Sequence, residues 1–329
     1  MDFNSQPLFL TTIWLLFAII VLIGNVITTF IIWRRKISHE KSTFGLKCHA
    51  AFNLLGINIA YSLLGLTLTV TSITRLAKDG DISKTACKVL GFIYAFFFHF
   101  AAFGVMTLQT DKLYCLSKPF VCHVFSRRKS KIPLIVLVCC ALYGTVMSVL
   151  PLIKLGKYCS KTGYTNCLPL WNRNGAFYAS FFLKFILFLS ILVAILGTVR
   201  QKFKTIRKRR EMKVATSHSR ETIIFVLAVS IFFVVCWSPN LIAMFASIFL
   251  NESQPGDQEK AVLFGITLIP QIFNPVVTLL LRVDCRELFI EYWSYINEYF
   301  TAKRAKKSLE QYDVKTTCTC AVALEMRKI

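Results

Sequence analysis

The sequence predicts an all-α membrane protein, a seven-transmembrane helix bundle with a short interfacial amphipathic helix after helix seven. Three observations carry this. Of the 329 residues, 55% are hydrophobic and only 17% charged, more apolar surface than an ordinary soluble domain can cover. The apolar residues come in blocks of about 20 residues or more, enough to cross a bilayer core at about 1.5 Å per residue. Lipid offers backbone N–H and C=O groups no partner, so such blocks cross as helices. The Lys and Arg residues gather between alternate blocks, 29 in one set of loops against 9 in the other. The formal charge of +22 therefore reads as membrane orientation rather than as a nucleic-acid-binding face. The partner it implies is membrane lipid, and no nucleic acid is expected.

The blocks follow in order. Phe3–Trp33 carries no Asp, Glu, Lys or Arg. It is too long for a signal-peptide core, has no basic flank before it and shows no small-residue cleavage site ahead of Arg34-Arg35-Lys36, which predicts an uncleaved anchor helix. Asn25 sits mid-block, and a buried amide in lipid must find partners on neighbouring helices. Cys48–Thr74 is the second block. The third, Val89–Thr110, opens beside Cys87 and closes on Asp111-Lys112-Leu113, with Pro119 beyond. A cysteine at one face and an acid–base pair at the other mark it as the central helix between an oxidising and a cytoplasmic side. Ile132–Ile153 is the fourth, with Pro151 at its end. The fifth lies between Asn174 and Val199 and is broken only by Lys184.

Thr222–Asn251 is the sixth block. Phe233 and Trp237, four residues apart, share a face, and Pro239 removes a backbone donor and kinks the helix just beyond them. Ala261–Leu281 is the seventh and holds Asn274-Pro275, a second kink. After Arg282, the spacing of Leu288, Phe289, Tyr292, Trp293, Ile296 and Phe300, with Glu287, Glu291 and Glu298 on the other side, predicts a helix lying in the interface over 283–300. The division is thus an N-terminal tail (1–7), a seven-helix domain (8–282), the amphipathic helix and a tail (301–329).

Basic loops stay inside, which puts the N-terminus outside and the C-terminus in the cytoplasm. The one N-x-S/T sequon, Asn251-Glu252-Ser253, then lies in an outer loop as a glycosylation acceptor. The twelve cysteines lack CxxC spacing, and Cys318-Thr319-Cys320 is too close for a zinc pair, so no metal is expected. Cys318 and Cys320, with Cys285, are candidates for lipidation. No Gly-rich phosphate loop and no placed acid–base pair points to an enzyme or a cofactor. A transporter is the rival from another class, but the chain shows no internal repeat and few intramembrane charges.

Placed on these helices, Gly24-Asn25, then Asp111-Lys112-Leu113 with Pro119, then Phe233 with Cys236-Trp237-Ser238-Pro239, then Asn274-Pro275-Val276-Val277-Thr278 come in a telling order. Over nearly its whole length the chain resembles the rhodopsin-like (class A) G-protein-coupled receptors, which hold Gly-Asn, Asp-Arg-Tyr, Phe with Cys-Trp-x-Pro, and Asn-Pro-x-x-Tyr at those places. Lys47-Cys48-His49-Ala50, Asn166-Cys167-Leu168-Pro169-Leu170 and Leu268-Ile269-Pro270 resemble receptors for glycoprotein hormones and relaxin-type peptides, although this sequence shows no leucine-rich ectodomain.

The resemblance implies a plasma-membrane receptor that converts binding of an extracellular ligand into activation of a heterotrimeric G protein, with arrestin as a further partner. It implies a disulfide from Cys87 to Cys167, with Cys159 as the competing partner. It makes Asp111, Lys112, Phe233, Trp237, Pro239, Asn274 and Pro275 the activation switch, in which ligand pressing on Trp237 swings the inner end of helix six outward. Lys184 either meets an anionic group of the ligand or bonds His99, Tyr178 or backbone carbonyls or snorkels outward; the ligand reading groups Lys184, His99 and Trp237. The chain departs from the pattern in several places. Lys112 replaces an Arg and lacks its planar fork, and Leu113 and Thr278 replace tyrosines. Helix two has no acid, Tyr61 or Ser62 standing in its place, which removes the carboxylate of a sodium site. Helix four has no Trp and helix five no Pro. These departures raise the alternative of a weakly coupled or non-coupling receptor or scaffold.

Overall fold

A computed structural model describes residues 6–39, 48–77, 82–117, 132–158, 167, 170–171, 175–211, 219–250 and 257–281. Further on it describes 286–287, 289–291, 293–295, 297–298 and 301. Asn251, Cys159, Cys285, Cys318, Cys320 and Pro119 lie outside the described residues. Among those described are seven α-helices: α1 (Gln6–His39), α2 (Cys48–Ala77), α3 (Lys84–Ser117), α4 (Ile132–Val149), α5 (Gly175–Glu211), α6 (Ser219–Phe249) and α7 (Asp257–Leu281). A π-helical turn, Pro151–Leu155, follows α4.

Six of these helices are long and apolar enough to cross a membrane; in α7 the apolar stretch is shorter, Gly265–Leu281. The outward faces are apolar, with Leu134, Val193, Leu196, Val235, Ile242 and Leu280 among the exposed side chains. The interior carries the polar groups instead: Asn25, Asn58, Gln109, Thr198 and Thr278 are buried. That inverts the soluble pattern and suits a lipid solvent. Many interior hydroxyls are satisfied on their own helix. Thr28, Thr67, Thr71 and Thr278 each donate to the carbonyl one turn back, at 2.7–2.8 Å, so they cost little in a medium without water.

α3 occupies the middle, packing against α2, α4, α5 and α6, while α1 closes the ring between α2 and α7. Ser83 starts α3, its Oγ accepting from Ala86 N at 3.2 Å, the usual role of a helix N-cap. α1 and α2 pack closely at Gly65. A Cβ there would stand 2.8 Å from the backbone nitrogen of Leu22, so only glycine fits this seam.

One feature departs from the all-α expectation. Between α4 and α5, β1 (Gly156–Lys157) pairs antiparallel with β2 (Leu170–Trp171), Gly156 opposite Trp171 and Lys157 opposite Leu170. It is two residues per strand. Residues from Asp284 onward form a separate unit. Its described residues are helical, with Phe289 stacked on Trp293 at 6.3 Å and Ser294 Oγ donating to Glu298 Oε1 at 3.3 Å. Phe289 and Trp293 belong to the predicted apolar line; Leu288, Tyr292, Ile296 and Phe300 lie outside the described residues.

Candidate functional site

At one end of the bundle the connection between α4 and α5 is tied down over α3. Cys87, near the start of α3, is disulfide-bonded to Cys167, 80 residues on. Cys167 adopts a left-handed backbone, φ 61°. Tyr158 is buried and its Oη donates to the Ser148 carbonyl at the end of α4. Burial pushes the Tyr158 phenol up from its ordinary value. Gly91 lets this strap sit down, since a Cβ there would collide with the Cys167 carbonyl and the Tyr158 ring.

Beneath the strap runs a column of rings. Tyr94 stacks on Phe98 along α3, with centroids 6.0 Å apart. Phe98 stacks on Trp237 of α6 at 5.4 Å and 10°, and Trp237 contacts Phe233 at 4.4 Å. Trp237 is thus the point where α3 touches the α6 aromatic pair. Pro239 leaves the Val235 carbonyl without its helical donor, and Ser238 Oγ donates to that carbonyl at 2.9 Å.

His99 and Lys184 lie near one another to the side of this column, both buried. The His99 ring meets Tyr143 of α4 edge-on at 5.9 Å. Ser180, one turn before Lys184, is also buried. His99 Nδ1, Tyr143 Oη and Ser180 Oγ have no hydrogen-bond partner. A region with an ammonium and several unmatched donors is chemically suited to an acceptor-rich, anionic group. Trp237 is separated from this region by the Phe98 ring, which contacts both His99 and Trp237.

Midway down, three amides interlock. Pro275 deprives the Gln271 carbonyl of its helical donor. Asn25 Nδ2 supplies one instead at 3.0 Å, while also reaching the Val21 carbonyl at 2.8 Å. Asn274 Nδ2 donates to Asn58 Oδ1 at 3.0 Å and lies 3.4 Å from Asn25 Oδ1. Gly24 brings α1 against the Pro275 ring, its notional Cβ 3.1 Å away. Asn58, not Tyr61 or Ser62, is the helix-two residue bonded to Asn274. Ser62 Oγ turns back to the Asn58 carbonyl, and Tyr61 lines a small cavity with Val105, Val229, Phe233, Phe273 and Asn274.

At the far end of α3, Asp111 and Lys112 are half-buried. Leu113 packs against Gly197 of α5, whose notional Cβ would stand 3.0 Å from the Leu113 methyls. Two residues before Asp111, Gln109 is buried and bonded to two other helices. Its Nε2 donates to Thr198 Oγ1 at 3.0 Å, and its Oε1 accepts from Ser230 Oγ at 3.0 Å.

Sequence reasoning missed Asn58, Gln109, Phe98, Tyr143 and Ser180. The first two were open to it, because each is an amide within an apolar block, the signal that singled out Asn25. The pairing of Phe98 with Trp237 depends on helix rotation, which spacing alone does not fix.

The description "7 transmembrane receptor (rhodopsin family)" matches residues 24–277. Squid rhodopsin, a solved structure, has the same fold, with a TM-score of 0.68 at 17% identity over 90% of this chain and 87% of its own. No curated protein matches by sequence. The ring column and the amide knot at Asn274-Pro275 lie within the matched span, which takes in part or all of each of the seven helices, and the chain belongs to the rhodopsin family of seven-transmembrane receptors.

Proposed function

We propose that this protein is a plasma-membrane receptor whose extracellular ligand, bound at the Cys87 end, drives activation of a heterotrimeric G protein at the Asp111 end. The N-terminus faces outside and the C-terminus the cytoplasm, as the 29 against 9 distribution of basic residues supports. The observation that carries the reading is the Phe98–Trp237–Phe233 stack. It joins the ligand end of α3 to the segment of α6 next to Pro239. A ligand that displaces Trp237 would alter a contact between α3 and α6 beside a proline, where a helix bends most readily. Two states of the bundle, biased by the ligand's differential affinity, are all the mechanism requires.

Lys184 and His99 are the ligand-contact residues, and the ligand carries an anionic group. This rests on the burial of both and on the unmatched atoms of His99, Tyr143 and Ser180. Receptor-expressing cells carrying a panel of G-protein dissociation sensors test the whole reading. An anionic agonist found by screening should lose about tenfold to a hundredfold in potency with Lys184→Met, the size expected for a charged hydrogen bond; unchanged potency removes the contact. Trp237→Ala should abolish the response while the receptor still reaches the surface.

A second reading, a receptor that binds without coupling, is favoured by Lys112, by Thr278 and by Leu113 held against Gly197. Sensors silent for every ligand and every G-protein class would select it.

A further inference from the structure

Gln109 joins α3 to both α5 and α6 through hydrogen bonds of its side-chain amide. The bonds run in one direction. Ser230 Oγ of α6 donates to Gln109 Oε1, Gln109 Nε2 donates to Thr198 Oγ1 of α5, and Thr198 Oγ1 donates to the Ala194 carbonyl at 2.8 Å. A longer contact, 3.4 Å, runs from Gln109 Nε2 to the same carbonyl. Gln109, Thr198 and Ser230 are all buried, so no water competes for these bonds. Ala194, Gly197 and Thr198 are small, and small residues let neighbouring helices approach closely enough for a side chain to bridge them.

We infer that Gln109 is a positioning residue for signalling: its amide clasps α6 to α3 and α5, and the inner face opens only when the Ser230–Gln109 bond is given up. This rests on the proposed receptor function and names the element that regulates it. Ser230 lies nine residues before Pro239, about 13 Å down the helix. Pivoting α6 at Pro239 by about 4° moves Ser230 by about 1 Å, which takes a 3.0 Å bond past hydrogen-bonding range. The clasp therefore registers small rotations, whereas a hydrophobic contact would tolerate them. Ser230 also lies on the Phe233–Trp237 side of α6, one and two turns below those rings, so a tilt begun at Trp237 reaches it directly.

The test uses the full chain in lipid nanodiscs, with nitroxide labels carried by non-natural residues at Tyr114 of α3 and Ile224 of α6, both exposed. Electron–electron distances report the position of α6 without a G protein or a ligand. Gln109→Leu and Ser230→Ala should each shift the distance distribution outward and raise basal nucleotide exchange on the order of threefold to tenfold, the scale of one interhelical hydrogen bond in a membrane protein. The double variant should move α6 no further than Gln109→Leu alone, because both changes remove the same bond. If Gln109→Leu fails to fold, Ser230→Ala carries the comparison, since it leaves the Gln109–Thr198 bond in place. Distances unchanged in the folded variants overturn the clasp. Distances that move while no G protein exchanges nucleotide uphold the clasp and remove the coupling reading.

Discussion

Asn25 shows how a single side chain in this bundle answers for another residue's chemistry. Its amide occupies the carbonyl of Gln271 that Pro275 leaves unmatched. Asn25→Ala should therefore lower stability by about 1–2 kcal/mol, the cost of an unsatisfied buried acceptor in a medium that offers few alternatives. Pro275→Ala restores a backbone donor for that carbonyl, so Asn25→Ala should cost less in that background. Unfolding midpoints of the four proteins in mild detergent give the coupling; an equal loss in both backgrounds would mean that the Asn25 amide does not serve Gln271. Trp237 is the other residue on which much depends. It touches Phe98 and Phe233 at once, so under the proposed function its removal would change both signalling and packing, and Trp237→Phe, which keeps a ring in the gap, would separate the two.

At the scale of elements, the seams between helices are set by small residues and by strapped ends. Gly65→Ala must push α1 away from α2, because the obstructing atoms are the Leu22 backbone and not a movable side chain. A loss of about 1–3 kcal/mol is expected, the usual range for overpacking, measured as a lower thermal midpoint; an unchanged midpoint would show that the seam gives way. Cys87→Ser frees the connection bearing Tyr158 and Cys167 and should reduce the amount of protein at the cell surface.

The order and span of the helices were legible in the sequence, because charge-free length and helix crossing are the same physical requirement. Asn25, Trp237, Pro239, Asn274 and Pro275 were legible as motifs. The partner of Asn274 was not. Reading helix two for a missing acid drew attention to Tyr61 and Ser62, while the amide one turn earlier, Asn58, makes the bond. Which faces of α3 and α5 meet, and hence the Gln109 bridge, depends on rotations set by packing at Gly197 and Ala194. The β1–β2 pair escaped because two residues per strand carry no periodicity.

For the molecule as a whole, lipid solvates an apolar exterior, with Val193 67% and Leu196 66% exposed, while amides and hydroxyls hold the interior together. In the proposed orientation, the charge asymmetry of the loops decides which end meets the cytoplasm. A glycan on Asn251 of intact cells, lost in Asn251→Gln, is the expected sign of that topology; labelling of this position only from the cytosolic side would reverse it. The most direct measurement of the proposed function is guanine-nucleotide exchange on purified heterotrimers of each G-protein class, with the receptor reconstituted in nanodiscs. Exchange above the empty-nanodisc rate for at least one class, raised by Ser230→Ala and reduced several-fold by Lys112→Ala, is the expected result. Rates equal to empty nanodiscs for every class, in the wild type and in folded Ser230→Ala alike, would contradict it.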